Sequence, residues 1–164
     1  MKKKIFVTRK LLKENEEKIK TLFEATLNKD DKIYTPQEII DGSKNYDGIL
    51  SSVTDPINAD TISKLSDSIK IIANGAVGFG NIDIQAAKDK GITVTNTPNV
   101  LTEDPADMAM ALILIVPRRI KEGVKKLVDD TWDGWAPNAL LGHRIYGKRL
   151  GILGMGRIGQ AIAR

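Results

Sequence analysis

The chain has 164 residues, 41% hydrophobic and 28% charged, with no cysteine and a net charge of +4. That composition excludes a disordered chain, a disulfide scaffold and thiolate metal sites, and no apolar run reaches the ~18 residues needed to cross a bilayer. The basic balance fits either a nucleic-acid or phosphate surface or an ordinary solvated one; scattered lysines, 5% aromatics and the absence of any DNA- or RNA-binding motif favour the second.

Lys2 to Lys4 lead into a short apolar stretch, Ile5 to Val7, that Arg9 and Lys10 interrupt. A secretory signal needs at least ~7 apolar residues there, so this is read as a solvated lead-in to a strand and the chain as compatible with the cytoplasm. Lys4 to Thr8 forms that strand. Leu11 to Ala25 reads as a helix with Leu12, Ile19, Leu22 and Phe23 near one face. A weaker strand near Thr26 to Lys29 and a short helix over Pro36 to Asp41 follow. Tyr46 to Ser51 is a strand closed by Ser51-Ser-Val-Thr-Asp-Pro56, and Asn58 to Leu65 a short helix. Ile69 to Ala73 is a strand that runs into the loop Asn74-Gly-Ala-Val-Gly-Phe-Gly80. Ile82 to Lys90 is a helix stopped by Gly91, and Thr93 to Asn96 another strand. Strands alternating with helices over short connections imply a mostly parallel sheet with helices on both faces. Ligand loops of such sheets lie beyond the carboxyl ends of the strands, which nominates Ser51 to Asp55 and Gly75 to Gly80.

The pattern then changes. Thr102 to about Val128 is a long helical segment with Thr102 as N-cap and Glu103 and Asp104 in the first turn, where the helix dipole favours acids. Met108, Leu112 and Ile115 lie near one face, and Pro117 should kink or split the segment. The segment either crosses between domains, packs against another subunit, or is buried in its own domain. Asp129 to Lys148 is loop-rich and contains Trp132, Trp135, Pro137 and Gly142.

At the end, an apolar strand over Leu150 to Leu153 runs into Gly154-Met-Gly156-Arg-Ile-Gly159 and a helical start. Gly154 allows the tight turn, Gly156 the approach of backbone to a pyrophosphate, and Gly159 close helix packing, with the helix N-terminus binding phosphate. The residue that sorts NAD from NADP, about 20 positions beyond such a fingerprint, does not lie within this sequence.

The stretches Asn74-Gly-Ala-Val-Gly-Phe-Gly-Asn-Ile-Asp83, Gly91-Ile-Thr-Val-Thr-Asn-Thr-Pro98 and Gly147 to Ala161 resemble the D-isomer-specific 2-hydroxyacid dehydrogenases. Trp132-Asp-Gly-Trp135-Ala-Pro137 with Leu141-Gly142 resembles the glyoxylate/hydroxypyruvate reductase branch. The resemblance implies an α/β protein: a flavodoxin-like parallel-sheet substrate domain over residues 1–100, then the start of a Rossmann dinucleotide-binding domain over 101–164. It implies that Val77 and Gly78 bind the substrate carboxylate through backbone N–H groups, which suits an anion nest in a tight glycine loop. It also implies that Ser52 and Val53 line the pocket, and that Trp135 either reaches across a homodimer or packs its own loop. Gly154, Gly156, Arg157, Ile158 and Gly159 would contact the cofactor, NADP or NAD. The dimer would form through the 102–128 helix and the tryptophan loop. One departure is Pro105-Ala-Asp107 where relatives carry Thr-Ala-Asp; proline removes a hydroxyl and an N–H but is tolerated in a first helical turn.

The family's catalytic arginine, glutamate and histidine match no residue here. His143, the only histidine, precedes the fingerprint and reads as a loop residue; Arg118 and Arg119 match a recurring structural pair. The implied function is reduction of a small 2-oxo acid to the 2-hydroxy acid with NAD(P)H, with this chain as an N-terminal fragment inactive alone. The alternatives are a non-catalytic truncated dimerising protein and a dehydrogenase for another D-2-hydroxy acid such as phosphoglycerate or D-lactate.

Overall fold

The computed structural model describes all 164 residues. They divide into two units, Met1–Val100 and Leu101–Arg164.

The first unit alternates β1 (Lys4–Val7), α1 (Lys13–Leu22), β2 (Glu24–Thr26), α2 (Pro36–Gly42), β3 (Gly48–Ser51), α3 (Ala59–Lys64), β4 (Ile71–Asn74), α4 (Ile84–Asp89) and β5 (Thr93–Thr95). The five strands form one sheet in the order β2-β1-β3-β4-β5, with every pairing parallel. The parallel α/β arrangement expected from the sequence is therefore present. Parallel sheets bury their strands, and the central strand β3 has no exposed residue. Ile49 and Ile72, neighbours in register, are almost completely buried. Ile39 and Ile40 of α2, Ile62 of α3 and Ala87 of α4 complete that core with Ile57, Leu65, Ile69, Ile82 and Ile92 from the connections. Phe6 adds an aromatic cluster, its ring 5.6 Å from Tyr34 and 5.7 Å from Tyr46.

Local chemistry sets the helix ends. Thr35 caps α2 with a reciprocal capping box: its hydroxyl accepts from the Glu38 N–H, and the Glu38 carboxylate accepts from the Thr35 N–H, with Pro36 at the first helical position. Asn58 and Asp83 cap α3 and α4 by accepting from Thr61 N–H and Ala86 N–H. Gly91 follows α4 at φ +71, the left-handed conformation foreseen for it. The expected apolar face of α1 is not sealed. No residue of α1 is buried, and Leu12 and Leu22 stay exposed, because Ile19 and Leu22 are the only apolar residues among its ten.

The second unit holds α5 (Glu103–Ile115), α6 (Ile120–Val128) and α7 (Arg157–Ala163). The long helical segment is split where Pro117 was expected to kink or split it. Pro117 cannot donate to the helical ladder, and Arg119 turns into the left-handed region at φ 55 before α6 begins. Arg119 holds this break: its guanidinium pairs with Glu122 and donates to the Leu141 carbonyl at 3.2 Å. Thr102 does not cap α5 through its side chain, because its backbone (φ −109, ψ −53) is already helical and does not aim the hydroxyl at the orphan N–H groups. Pro105 sits in the first turn of α5 without breaking it. The strand expected over Leu150 to Leu153 does not form; this unit contains no other strand for it to pair with. No helix is long and apolar enough to cross a membrane.

Two outcomes follow for the first unit. Ile72→Ala should cost about 2–5 kcal/mol in urea unfolding, the range for emptying a packed aliphatic site. The Lys32 ammonium, followed by the Thr35 N–H and hydroxyl, holds the Glu38 carboxyl down to about 2 from an ordinary 4.5. A depressed folded value stabilises above the unfolded pKa and is lost as pH falls through the folded one. Stability should thus decline between pH 4.5 and about 2, and Glu38→Gln should flatten that part of the pH dependence of the urea midpoint.

Candidate functional site

The register of the two central strands places Ser51 beside Asn74 at their carboxyl ends. The Ser51 hydroxyl donates to Asn74 Oδ1 at 3.1 Å. From this pair the two loops nominated by the sequence depart, and asparagines join them. Asn74 Nδ2 donates to the Gly78 carbonyl at 2.9 Å and to Asn81 Oδ1 at 3.3 Å. Asn81 Nδ2 in turn reaches the carbonyls of Ser52 (3.0 Å) and Asp55 (3.1 Å). A short parallel bridge, Ile57 to Ile82, locks the far ends together. Asp55 is fully buried and ties the first loop to Thr8, the residue after β1: its Oδ2 accepts from Thr8 Oγ1 at 2.5 Å and from Ser52 N–H at 2.7 Å, while Oδ1 has no partner.

The glycine loop presents donors. Gly75 N–H bonds to the Ser51 carbonyl at 2.8 Å and Ala76 N–H to the Asn74 carbonyl at 2.8 Å, but the N–H groups of Val77, Gly78, Phe79, Gly80 and Asn81 find no acceptor in the chain. Their carbonyl sides are held. Thr97 N–H donates to the Ala76 carbonyl at 2.9 Å, and Asn96 Nδ2 to the Val77 carbonyl at 2.8 Å. Gly78 is exposed and Val77 half-buried. Successive free N–H groups of this kind suit an anion.

A cavity of about 230 Å³ opens at the carboxyl ends of β1, β3 and β4, lined by Arg9, Lys10, Leu11, Ser51, Ser52 and Gly75 among others. Ser52 thus lines it, whereas Val53, Val77 and Gly78 do not. Arg9 supplies positive charge beside it but is engaged: Nε and Nη2 donate to Asp31 at 2.8 and 2.9 Å and Nη1 to Thr54 at 2.8 Å. The Arg9 guanidinium, then the Lys10 N–H, hold the Asp31 carboxyl well below the usual carboxylate range. A larger groove of about 580 Å³ along α4 and β5 contains none of the site residues expected from the sequence.

In the second unit, Gly154 turns at φ +98, and α7 starts directly after Gly156. A Cβ on Gly159 would collide with the Gly154 carbonyl oxygen, so the turn and the helix touch backbone to backbone. That is the close approach the glycine spacing foresees. Trp135 is 82% exposed, and Trp132 lines an apolar groove of about 340 Å³ with Ile120, Val124, Leu127 and Leu140. His143 lies in an exposed loop, its backbone N–H bonded to the Pro117 carbonyl at 2.7 Å.

The family model for the D-isomer specific 2-hydroxyacid dehydrogenase catalytic domain matches residues 5–156. The chain belongs to that family. The chain is 42% identical over its whole length to a glyoxylate reductase of Korarchaeum cryptofilum, covering 49% of that protein. A solved structure from Polaromonas of an NAD-binding protein assigned to the same family superposes with a TM-score of 0.92 at 37% identity, over 99% of this chain and 51% of that one. An NADPH-dependent glyoxylate/hydroxypyruvate reductase of Sinorhizobium meliloti, solved with NADP and malonate, gives 0.78 at 29% identity over 99% of this chain and 49% of that one. The chain thus spans about half the length of the relatives it matches.

Sequence reasoning quoted Asn74, Asn81 and Asn96 within motifs of this dehydrogenase family but gave them no role. It also missed Asp55 and its bond to Thr8. The signal was their position: each sits at a strand end or in a glycine-rich loop, where backbone carbonyls lack ladder partners. Asn81→Ala should remove both bonds to the Ser52–Asp55 loop and cost about 1–3 kcal/mol by urea unfolding, with faster amide exchange at Asp55 than elsewhere in the sheet.

Proposed function

We propose that this dehydrogenase segment serves a reductase of glyoxylate or hydroxypyruvate that uses NADPH or NADH. The observation that carries the proposal is the run of unpartnered N–H groups that begins at Val77 and Gly78, set at the carboxyl edge of a parallel sheet. Ligands of such sheets bind at that edge. In this reading the nest takes the carboxylate of a small 2-oxo acid, and Ser52 and Val53 border it. The glyoxylate reductase relative and the malonate-bound Sinorhizobium enzyme support a small carboxylate of this kind.

Gly154, Gly156, Arg157, Ile158 and Gly159 form the first part of a pyrophosphate site, supported by the tight turn at Gly154 and the helix that starts at Arg157. When bound, the nicotinamide supplies hydride to the 2-carbonyl. The chain's own contribution is to hold the carboxylate and the diphosphate. General acid catalysis needs a proton donor within hydrogen-bond reach of the carbonyl oxygen, and the exposed loop residue His143 is not that donor in this reading.

The second unit exposes Met108, Leu112, Ile115, Val124, Leu127 and Val128 on its helices and Trp135 in its loop. An apolar surface of that extent fits an interface. We assign it to a homodimer, with Trp135 bordering the neighbour's pocket. A cytoplasmic location belongs to the same reading.

The test is a steady-state assay of the full-length protein that carries this segment. Oxidation of NADPH or NADH is expected with glyoxylate and hydroxypyruvate, and background turnover from the 164-residue chain alone. Trp135→Ala should raise KM for both acids about tenfold, equivalent to about 1.4 kcal/mol of lost binding, with a smaller change in kcat. Failure of both acids, with phosphoglycerate or D-lactate oxidised by NADP+ or NAD+ instead, would move the assignment to another member of the family.

A further inference from the structure

We propose that Asn96 is a positioning residue for the anion nest: by holding the Val77 carbonyl, its side-chain amide fixes the direction in which the Gly78 N–H points. The proposal rests on the reading that Val77 and Gly78 receive a carboxylate. A trans peptide unit is planar, with its C=O and N–H on opposite sides. The carbonyl of Val77 and the N–H of Gly78 belong to one such unit, so a bond to the first sets the second. Three successive units are held in this way. Thr97 N–H grips the Ala76 carbonyl at 2.9 Å, Asn96 Nδ2 the Val77 carbonyl at 2.8 Å, and Asn74 Nδ2 the Gly78 carbonyl at 2.9 Å. The N–H groups of Val77, Gly78 and Phe79, on the other sides of those three units, have no acceptor in the chain.

The middle unit is the one that most needs a clamp. A peptide that precedes glycine flips at low cost, because glycine accepts both signs of φ and turn types I and II differ by that flip. A Cβ at Gly78 would meet no atom within 4 Å, so no side chain crowds that position. Asn96 comes from the residue just after β5, whose pairing to β4 sets its position. The neighbouring unit is held by a backbone donor, Thr97, and no side-chain substitution at 96 removes that bond. The two N–H groups should therefore respond differently to a change at Asn96.

The experiment is a titration of the full-length protein that carries this segment with glycolate, read by 15N–1H correlation spectra, for the wild type, Asn96→Ala and the isosteric Asn96→Asp. 15N relaxation is recorded on each form without ligand. In the wild type the Val77 and Gly78 amides should shift saturably. In both variants the Gly78 amide should become more mobile without ligand and lose its shift on titration. The Val77 amide should still respond, and the apparent Kd should rise about tenfold, as expected when only a fraction of molecules present both donors. The amides of β3 and β4 report that the sheet is unchanged. Equal glycolate binding by wild type and variants, with Gly78 equally ordered, overturns the role of Asn96 and leaves the nest standing. A wild type in which neither amide shifts overturns the nest reading itself, and with it this inference.

Discussion

Everything at the candidate site hangs on the parallel register that sets Ser51 beside Asn74. Two buried isoleucines, Ile49 and Ile72, hold that register two residues earlier, because a slip by one position would turn one of them onto the opposite face of the sheet. Once it is fixed, both loops leave the sheet at the same edge, and their first residues are already hydrogen-bonded.

From there the loops are built by carbonyl satisfaction rather than by packing. The strand ends leave backbone oxygens with no ladder partner, and buried or half-buried oxygens need donors. Asn74, Asn81 and Asn96 supply them across loops that are far apart in sequence, and Asp55 does the complementary work by accepting from Thr8 and from Ser52 N–H. A side effect of this arrangement is directional. Donors clamped on the carbonyl side leave the N–H side of Val77 and Gly78 free, which is what an anion site requires.

The second unit works by backbone contact. Gly159 lies against the Gly154 carbonyl, and a Cβ on Gly142 would strike the Pro117 carbonyl. Glycine at these places is a matter of room, since neither carries an unusual φ. The same unit leaves much of its apolar helix surface in contact with solvent, from Met108 to Val128. Surfaces of that kind in stable proteins meet a partner surface or another part of the fold.

The sequence by itself determined the alternation of strands and helices, the parallel sheet, the two ligand loops, the helix stop at Gly91 and the fingerprint turn at Gly154. These depend on local propensity, period and glycine geometry, which act over a few residues and are written in them. It did not determine whether Leu150 to Leu153 forms a strand, because pairing depends on a neighbour and not on the segment. Nor did it show that Thr102 fails to cap, or that α1 buries nothing; both depend on backbone angles and partners outside the motif. Only the tertiary structure gave Asn74, Asn81 and Asn96 their work. An asparagine can bond to any carbonyl within reach, and which carbonyl lies within reach is settled by the sheet that brings residues 51, 74 and 96 to one edge.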